Sequence, residues 1–302
     1  IYMGLNEVLR ASGYPKKAMT ATLMAVIVNC VLDALFILVF EWGIRGAALA
    51  TIAAQVISLS WQLHHFFDKK SFLHFQRGIF GLKRHIVGGM LAIGLSPFLM
   101  NLAASVVNII MNNQLVREGG DLAIGAFGII NSFGMLIVMC VLGLCQGMQP
   151  IVGFNYGAGK HKRVKDVLLL TIRIATLIVT VGFLASELFP RWLVRAFTDD
   201  PDLTAMAVHG MRLGYCLLFL DGFQIVVSVF LQSISKAQKA VFMGLSRQVI
   251  FLIPALYFFS RWFGLTGVWL SIPAADLLAA VVAILFLRSE RRVFYPSSGR
   301  RV

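Results

Sequence analysis

Acidic residues are scarce in this chain, and charge of either sign is thin. Of 302 residues, 14 are Asp or Glu against 27 Lys or Arg; charged residues make up 14%, hydrophobic ones 58%, and mean hydropathy is +0.81. That balance excludes an ordinary soluble domain and implies an all-α, polytopic helical membrane protein. Cysteine is also sparse: Cys30, Cys140, Cys145 and Cys216 all fall in apolar segments, as small hydrophobes do. They offer no disulfide framework and no metal-ligand spacing. GxGxxG and P-loop motifs are missing, and Gly153, Gly157 and Gly159 follow a helical stretch instead of opening one, as a tight turn against another helix would. No basic n-region or cleavage site follows Ile1, so no signal peptide is expected, and the chain is expected to begin in mid-structure.

The apolar runs are long. Met19 to Phe40 reads as a span of 22 residues, enough to cross about 30 Å of hydrocarbon at roughly 1.5 Å per residue. Further spans are expected at about 46–67, 86–115, 121–149, 166–189, 203–233, 239–260 and 264–287. Residues 1–9 read as the last turns of a helix, closed by a polar turn holding Gly13 and Pro15. Pro97, Pro254 and Pro273 lie inside spans, where prolines mark kinks, and Gly143 with Gly147 forms a GxxxG packing pair. Residues 68–85 interleave basic residues with Phe72, Phe75, Ile79 and Phe80, the pattern of an amphipathic cytoplasmic linker lying on the membrane surface.

The net charge of +13 is distributed by side. With alternate loops assigned to opposite faces, 19 Lys and Arg fall on one face and 5 on the other. The positive-inside rule places the first face, and the basic tail 288–302, in the cytoplasm. The tail is therefore expected to touch anionic lipid, with no nucleic-acid partner.

Asn29 and Asp33 stand out within the first full span. A carboxylate there costs about 2.5 kcal/mol or more, so it should face a protein interior or a wet cavity. Spacing of four puts the two on one helical face, where the amide can bond the carboxylate or share a cation with it. A structural polar pair joining two helices is the competing reading.

The chain also repeats itself. Residues 43–54, GIRGAALATIAA, align with 264–275, GLTGVWLSIPAA, at an offset of 221, matching Gly43 with Gly264, Gly46 with Gly267, Leu49 with Leu270 and Ala54 with Ala275. Upstream, at an offset of 222, Leu9 pairs with Leu231, Lys17 with Lys239 and Ala18 with Ala240. Internal repeats are the usual build of secondary transporters. Extending the repeat backwards gives a parent of twelve spans, with roughly 135 residues expected before Ile1.

At residues 149–160, QPIVGFNYGAGK, the sequence resembles the signature closing the second helix of the C-terminal lobe in MATE transporters, the multidrug and toxic compound extrusion family. The stretches from Asn29, Gly222 and Leu245 agree, and the likeness covers essentially the whole chain, closest to the bacterial DinF/MepA-like branch. It implies residues 1–67 as the end of an N-terminal lobe, 68–85 as the linker and 86–287 as a C-terminal lobe. It also implies an exporter in the bacterial cytoplasmic membrane, monomeric and without cofactor, that exchanges inward H⁺ or Na⁺ for outward cationic or amphipathic compounds. The family's N-lobe ion site maps onto Asn6, Asn29 and Asp33, while its first-helix acid has no position here; Met3 stands where some relatives carry a further Asn.

Asp221 departs from the favoured branch and resembles an acid that a sibling branch, the NorM type, uses in a C-lobe cation site. That branch also carries a Glu in its seventh helix, and none lies between His85 and Val116. Asp221, with Gln224 near the same face, is thus a candidate for substrate binding or second coupling, against a helix-interior hydrogen bond. Asp276 matches a position of packing or gating role, and Glu7, Glu187, His64 and His65 sit at span ends.

Other classes fit less well. A flippase for lipid-linked sugars would want a basic cavity, but only Arg173, Arg212 and Arg247 lie within or near spans. A membrane-embedded enzyme would want convergent carboxylates, and the embedded acids are scattered over different spans.

Overall fold

A computed structural model describes residues 2–68, 73–75, 81 and 83–290 of the chain. Most of the expected linker and the tail beyond residue 290 lie outside these residues. Among those described, the structure is helical without strands. It divides into two compact units, Ile1–Val87 and Gly88–Val302.

The first unit holds α1 (Tyr2–Ala11), α2 (Pro15–Ala34) and α3 (Gly43–Phe67). Gly13, at φ +89°, turns α1 into α2, and Pro15 opens α2 where its missing N–H costs nothing. The end of α2 is wound wider, as a π segment over Leu35–Val39. Small residues set the fit of α3 on α2: Gly46, Ala50, Ala54 and Ser58 are all buried, four apart on one face. Ser58 Oγ donates to the Ala21 carbonyl at 2.7 Å, closing the seam.

The second unit is entered through α4 (Arg84–Gly157), which is two helices joined at Gly120, where φ is +66° and ψ −161°. It continues through α5 (His161–Leu188), the short α6 (Pro190–Arg195), α7 (Pro201–Gly214), α8 (Asp221–Ser233), α9 (Ala237–Leu245) and α10 (Ile253–Ser289). α10 is likewise two helices, joined at Gly264 with φ +56°. With both glycine breaks counted, and α7 and α8 taken as one bent span, the segments correspond to the eight expected from hydropathy. Their outer surfaces carry large apolar side chains such as Leu38, Phe154 and Trp262, as helices solvated by hydrocarbon should.

The sequence repeat is visible turn by turn. Gly43 and Gly264 both break the chain at positive φ, +54° and +56°. The buried stripe of α3, Gly46, Ala50, Ala54, Ser58 and Gln62, recurs in α10 as Gly267, Ser271, Ala275, Ala279 and Ala283, each shifted by 221. Gly46 packs on Phe36 and Gly267 on Phe259, in each case on the backbone carbonyl of the helix before the break. The Gly143 and Gly147 pair behaves otherwise. A Cβ at either would meet open space, so the expected GxxxG packing does not occur there among the described residues. Their face of α4 is not the one the buried Val141, Cys145 and Met148 turn to the core. Pro254 has no N–H for the carbonyl four residues back, and the helix is wound as a π segment, Ser246–Leu252, just before it.

Candidate functional site

The sixth expected span, 203–233, is not one helix. α7 ends at Gly214, a 3₁₀ turn covers Leu218–Leu220, and α8 leaves at a bend of 49°. Asp221 therefore lies in the first turn of α8, directly after the 3₁₀ turn, and its N–H donates to the Leu218 carbonyl. Broken helices of this kind are where membrane transporters place polar sites, because freed backbone groups then line a cavity. α8 presents Asp221, Ile225, Ser228 and Gln232 along one side of such a cavity, of about 750 Å³.

Arg247 reaches the same place from the π segment. Its Nε donates to Asp276 Oδ1 at 2.7 Å, and its Nη2 donates to Asp221 Oδ2 at 3.2 Å and Oδ1 at 3.4 Å. Asp221, Arg247 and Asp276 come from three segments and form one ion-paired cluster on the cavity wall. The expectation that the embedded acids stay scattered is corrected here: Asp221 and Asp276 converge because a guanidinium in a span must find carboxylates, and both acids need a counter-charge. Gln224 does not line the cavity. Its Nε2 donates to the Asp276 backbone carbonyl at 2.8 Å, tying α8 to α10 beside the acid.

The remaining wall is amide-rich and soft. Asn101, Asn108, Gln146 and Gln248 lie among Met100, Met111, Met135 and Phe127, a lining able to adapt to different shapes. Tyr215 donates to the Ile130 carbonyl at 2.6 Å, and its hydroxyl fills the space beside Gly134. Ser228 is 7% exposed, and its Oγ has no hydrogen-bond partner among the described residues.

In the first unit, Asn29 and Asp33 lie on α2 facing α3. Asn29 Nδ2 reaches Thr51 Oγ1 at 3.5 Å and not the carboxylate, while Asp33 Oδ1 is buried without a partner among the described residues. Asn6 is elsewhere. It is 4% exposed and donates to the Ala18 carbonyl at 3.0 Å and to Thr22 Oγ1 at 3.2 Å. Thr22 precedes Asp33 by eleven residues, about 16 Å along the helix, so Asn6 is not brought to the Asn29 and Asp33 pair.

Arg247 is the residue that the sequence reading left without a role. An arginine inside a span is itself a signal, since it needs a nearby acid. What the sequence does not reveal is that Asp221 and Asp276, 55 positions apart, are the acids that meet it. No group of three His, Cys, Asp or Glu able to hold a metal occurs among the described residues.

Comparison with known proteins supplies the context. The family model described as MatE matches residues 97–258. The multidrug export protein MepA of Staphylococcus aureus is 27% identical over 287 residues, 95% of this chain and 63% of that protein. MepA of Staphylococcus saprophyticus is 25% identical over the same share of each. The chain thus spans about 63% of the length of these relatives. Among solved structures, the MATE multidrug transporter DinF-BH is 34% identical with a TM-score of 0.87, over 97% of this chain and 66% of that one. The outward-facing conformation of a multidrug resistance MATE transporter of the MOP superfamily is 25% identical with a TM-score of 0.89, over 97% and 67%.

Proposed function

The chain belongs to the MatE family of membrane transporters, and on that ground we propose that it serves a secondary multidrug exporter, carrying cationic or amphipathic small molecules outward in exchange for H⁺ or Na⁺ by alternating access. The Lys- and Arg-rich face is cytoplasmic in this reading, in a bacterial inner membrane. The observation that carries the coupling is Asp33, a carboxylate within a span whose Oδ1 is buried and has no partner among the described residues. Such an oxygen is stabilised by an arriving proton or Na⁺, and Asn29, one turn away, supplies an amide oxygen or N–H beside it. An ion that binds one conformation better than the other shifts the balance between them, which is all that coupling requires. Asn6 then acts on this site through the docking of α1 on α2 and not as a ligand.

The flippase reading loses support. Arg173 and Arg212 are exposed, and Arg247 is held by two acids, which leaves no convergent cations for a pyrophosphate among these three.

The test is efflux of a fluorescent organic cation from cells producing the protein, with Asp33→Asn beside the parent, under imposed proton and then sodium gradients. Loss of efflux in the variant, with dependence of the parent on one gradient, supports the reading and names the ion. Efflux by the variant equal to the parent moves coupling away from Asp33; no efflux by the parent removes the exporter reading.

A further inference from the structure

Among the described residues, the charged side chains lining the cavity of the second unit are Asp221, Arg247 and Asp276, two negative charges against one positive. Arg247 does not hold the acids equally. The bond to Asp276 is 2.7 Å, with an acid whose side chain is 4% exposed; the bonds to Asp221 are 3.2 and 3.4 Å, with a side chain that is 11% exposed. Gln224 further fixes the Asp276 backbone, whereas Asp221 stands at the mouth of a broken helix. The guanidinium is anchored at Asp276 and leans on Asp221.

Resting on the exporter reading above, we propose that Arg247 is a tethered competitor: it occupies Asp221 when the cavity is empty, and an organic ligand bearing a single positive charge takes Asp221 in its place. The cavity's volume of about 750 Å³ falls within the 300–1,000 Å³ of drug-sized sites. Methionine and Phe127 walls accept the apolar body of such a ligand, and Ser228, on the same face of α8 and two turns from Asp221, offers a hydroxyl that nothing else among the described residues engages. Arg247 remains paired with Asp276 throughout, so no charge is left bare when the ligand leaves. The device sets affinity by charge: the ligand must outbid a guanidinium already in place, which holds binding weak enough for release.

The experiment is equilibrium binding of radiolabelled tetraphenylphosphonium, a permanently charged cation, to the purified full chain in detergent. Arg247→Gln is expected to bind at least about tenfold tighter than the parent, because the competitor for Asp221 is gone. Arg247→Lys, which keeps the charge, is expected to stay within about threefold of the parent, and Asp221→Asn/Arg247→Gln to lose the gain. Arg247→Gln that melts at the parental temperature and binds no tighter, or a gain that survives in the double variant, overturns the proposal. Should Arg247→Gln not fold, Asp221→Asn alone decides: binding weakened at least about tenfold supports the proposal, unchanged binding overturns it. Parental binding with unresponsive variants removes the roles of Arg247 and Asp221 and leaves the exporter reading standing, whereas a parent that neither binds nor exports the probe removes the exporter reading with it.

Discussion

Lys17 Nζ lies 2.9 Å from His65 Nδ1, joining the first turn of α2 to the last turn of α3. The repeat carries the contact over. Lys239, the counterpart of Lys17, lies 5.8 Å over the ring of Phe286, the counterpart of His65, and donates to Glu290 Oε1 at 2.6 Å. Each unit thus ties the two ends of its helical hairpin with a lysine at the same place, but Lys239 meets a buried carboxylate where Lys17 meets a histidine.

That difference sets unequal costs. Lys239→Ala leaves Glu290, whose side chain is 10% exposed, without its cation, and is expected to lower stability by about 2 kcal/mol, below the 3–5 kcal/mol of a fully buried pair because Lys239 is 35% exposed. Lys17→Ala breaks a part-buried bond to a histidine and is expected to cost about 1 kcal/mol or less. Thermal unfolding of the two purified variants measures the order, and equal losses would show that Glu290 finds another partner.

The paired glycines separate two physical effects. Gly43 and Gly264 sit at positive φ with room for a Cβ, so alanine at either costs the backbone strain alone, about 1–2 kcal/mol, and the same in both. Gly46 and Gly267 have no such room. A Cβ at Gly46 stops 3.0 Å from Phe36, while at Gly267 it overlaps the Phe259 carbonyl, so Gly267→Ala is expected to be the more damaging of the two, by roughly 1–3 kcal/mol as for overpacked cores. Melting temperatures of the four alanine variants test both statements at once.

These glycines also mark how far the sequence could be read. Spans, eight in number, followed from apolar runs because hydrocarbon solvation acts residue by residue. The repeat followed from Gly43, Gly46 and Ala54 because turns and close approaches demand particular residues wherever they occur. The cavity cluster was not legible, since nothing along the chain says that the π segment carrying Arg247 turns towards Asp221 and Asp276. Gly143 and Gly147 had the spacing of a packing motif, yet spacing does not say whether a neighbour lies opposite. Asn6 was placed with Asn29 and Asp33 by resemblance, and its hydrogen bonds to Ala18 and Thr22 put it about three helical turns from Asp33.

Gly222, beside Asp221, holds α8 against α5. A Cβ there would overlap Val179 and come within 3.0 Å of the Ala175 carbonyl. Because a backbone carbonyl cannot swing aside, Gly222→Ala is expected to push α8 outward, destabilise by about 1–3 kcal/mol and weaken the cation binding proposed at the neighbouring acid. Restored stability and binding in Gly222→Ala/Val179→Ala would trace the loss to the side chain; no restoration would trace it to the carbonyl.

Asn6 and Asn29 make the last and sharpest pair. Asn6 is buried and its amide nitrogen donates to two acceptors on α2, so Asn6→Ala is expected to cost about 1–2 kcal/mol by loosening α1 from α2, with gradient dependence of export unchanged per folded molecule. Asn29 makes a single long bond to Thr51 and is half-exposed, so Asn29→Ala is expected to cost less than about 0.5 kcal/mol in stability. Under the proposed coupling its effect should appear instead as a need for a steeper ion gradient, because Asp33 then loses the Asn29 amide one turn away. Measuring melting temperature and the gradient for half-maximal efflux in both variants gives opposite orderings if Asn6 is a brace and Asn29 a ligand. A steeper gradient needed by Asn6→Ala than by Asn29→Ala would overturn both assignments.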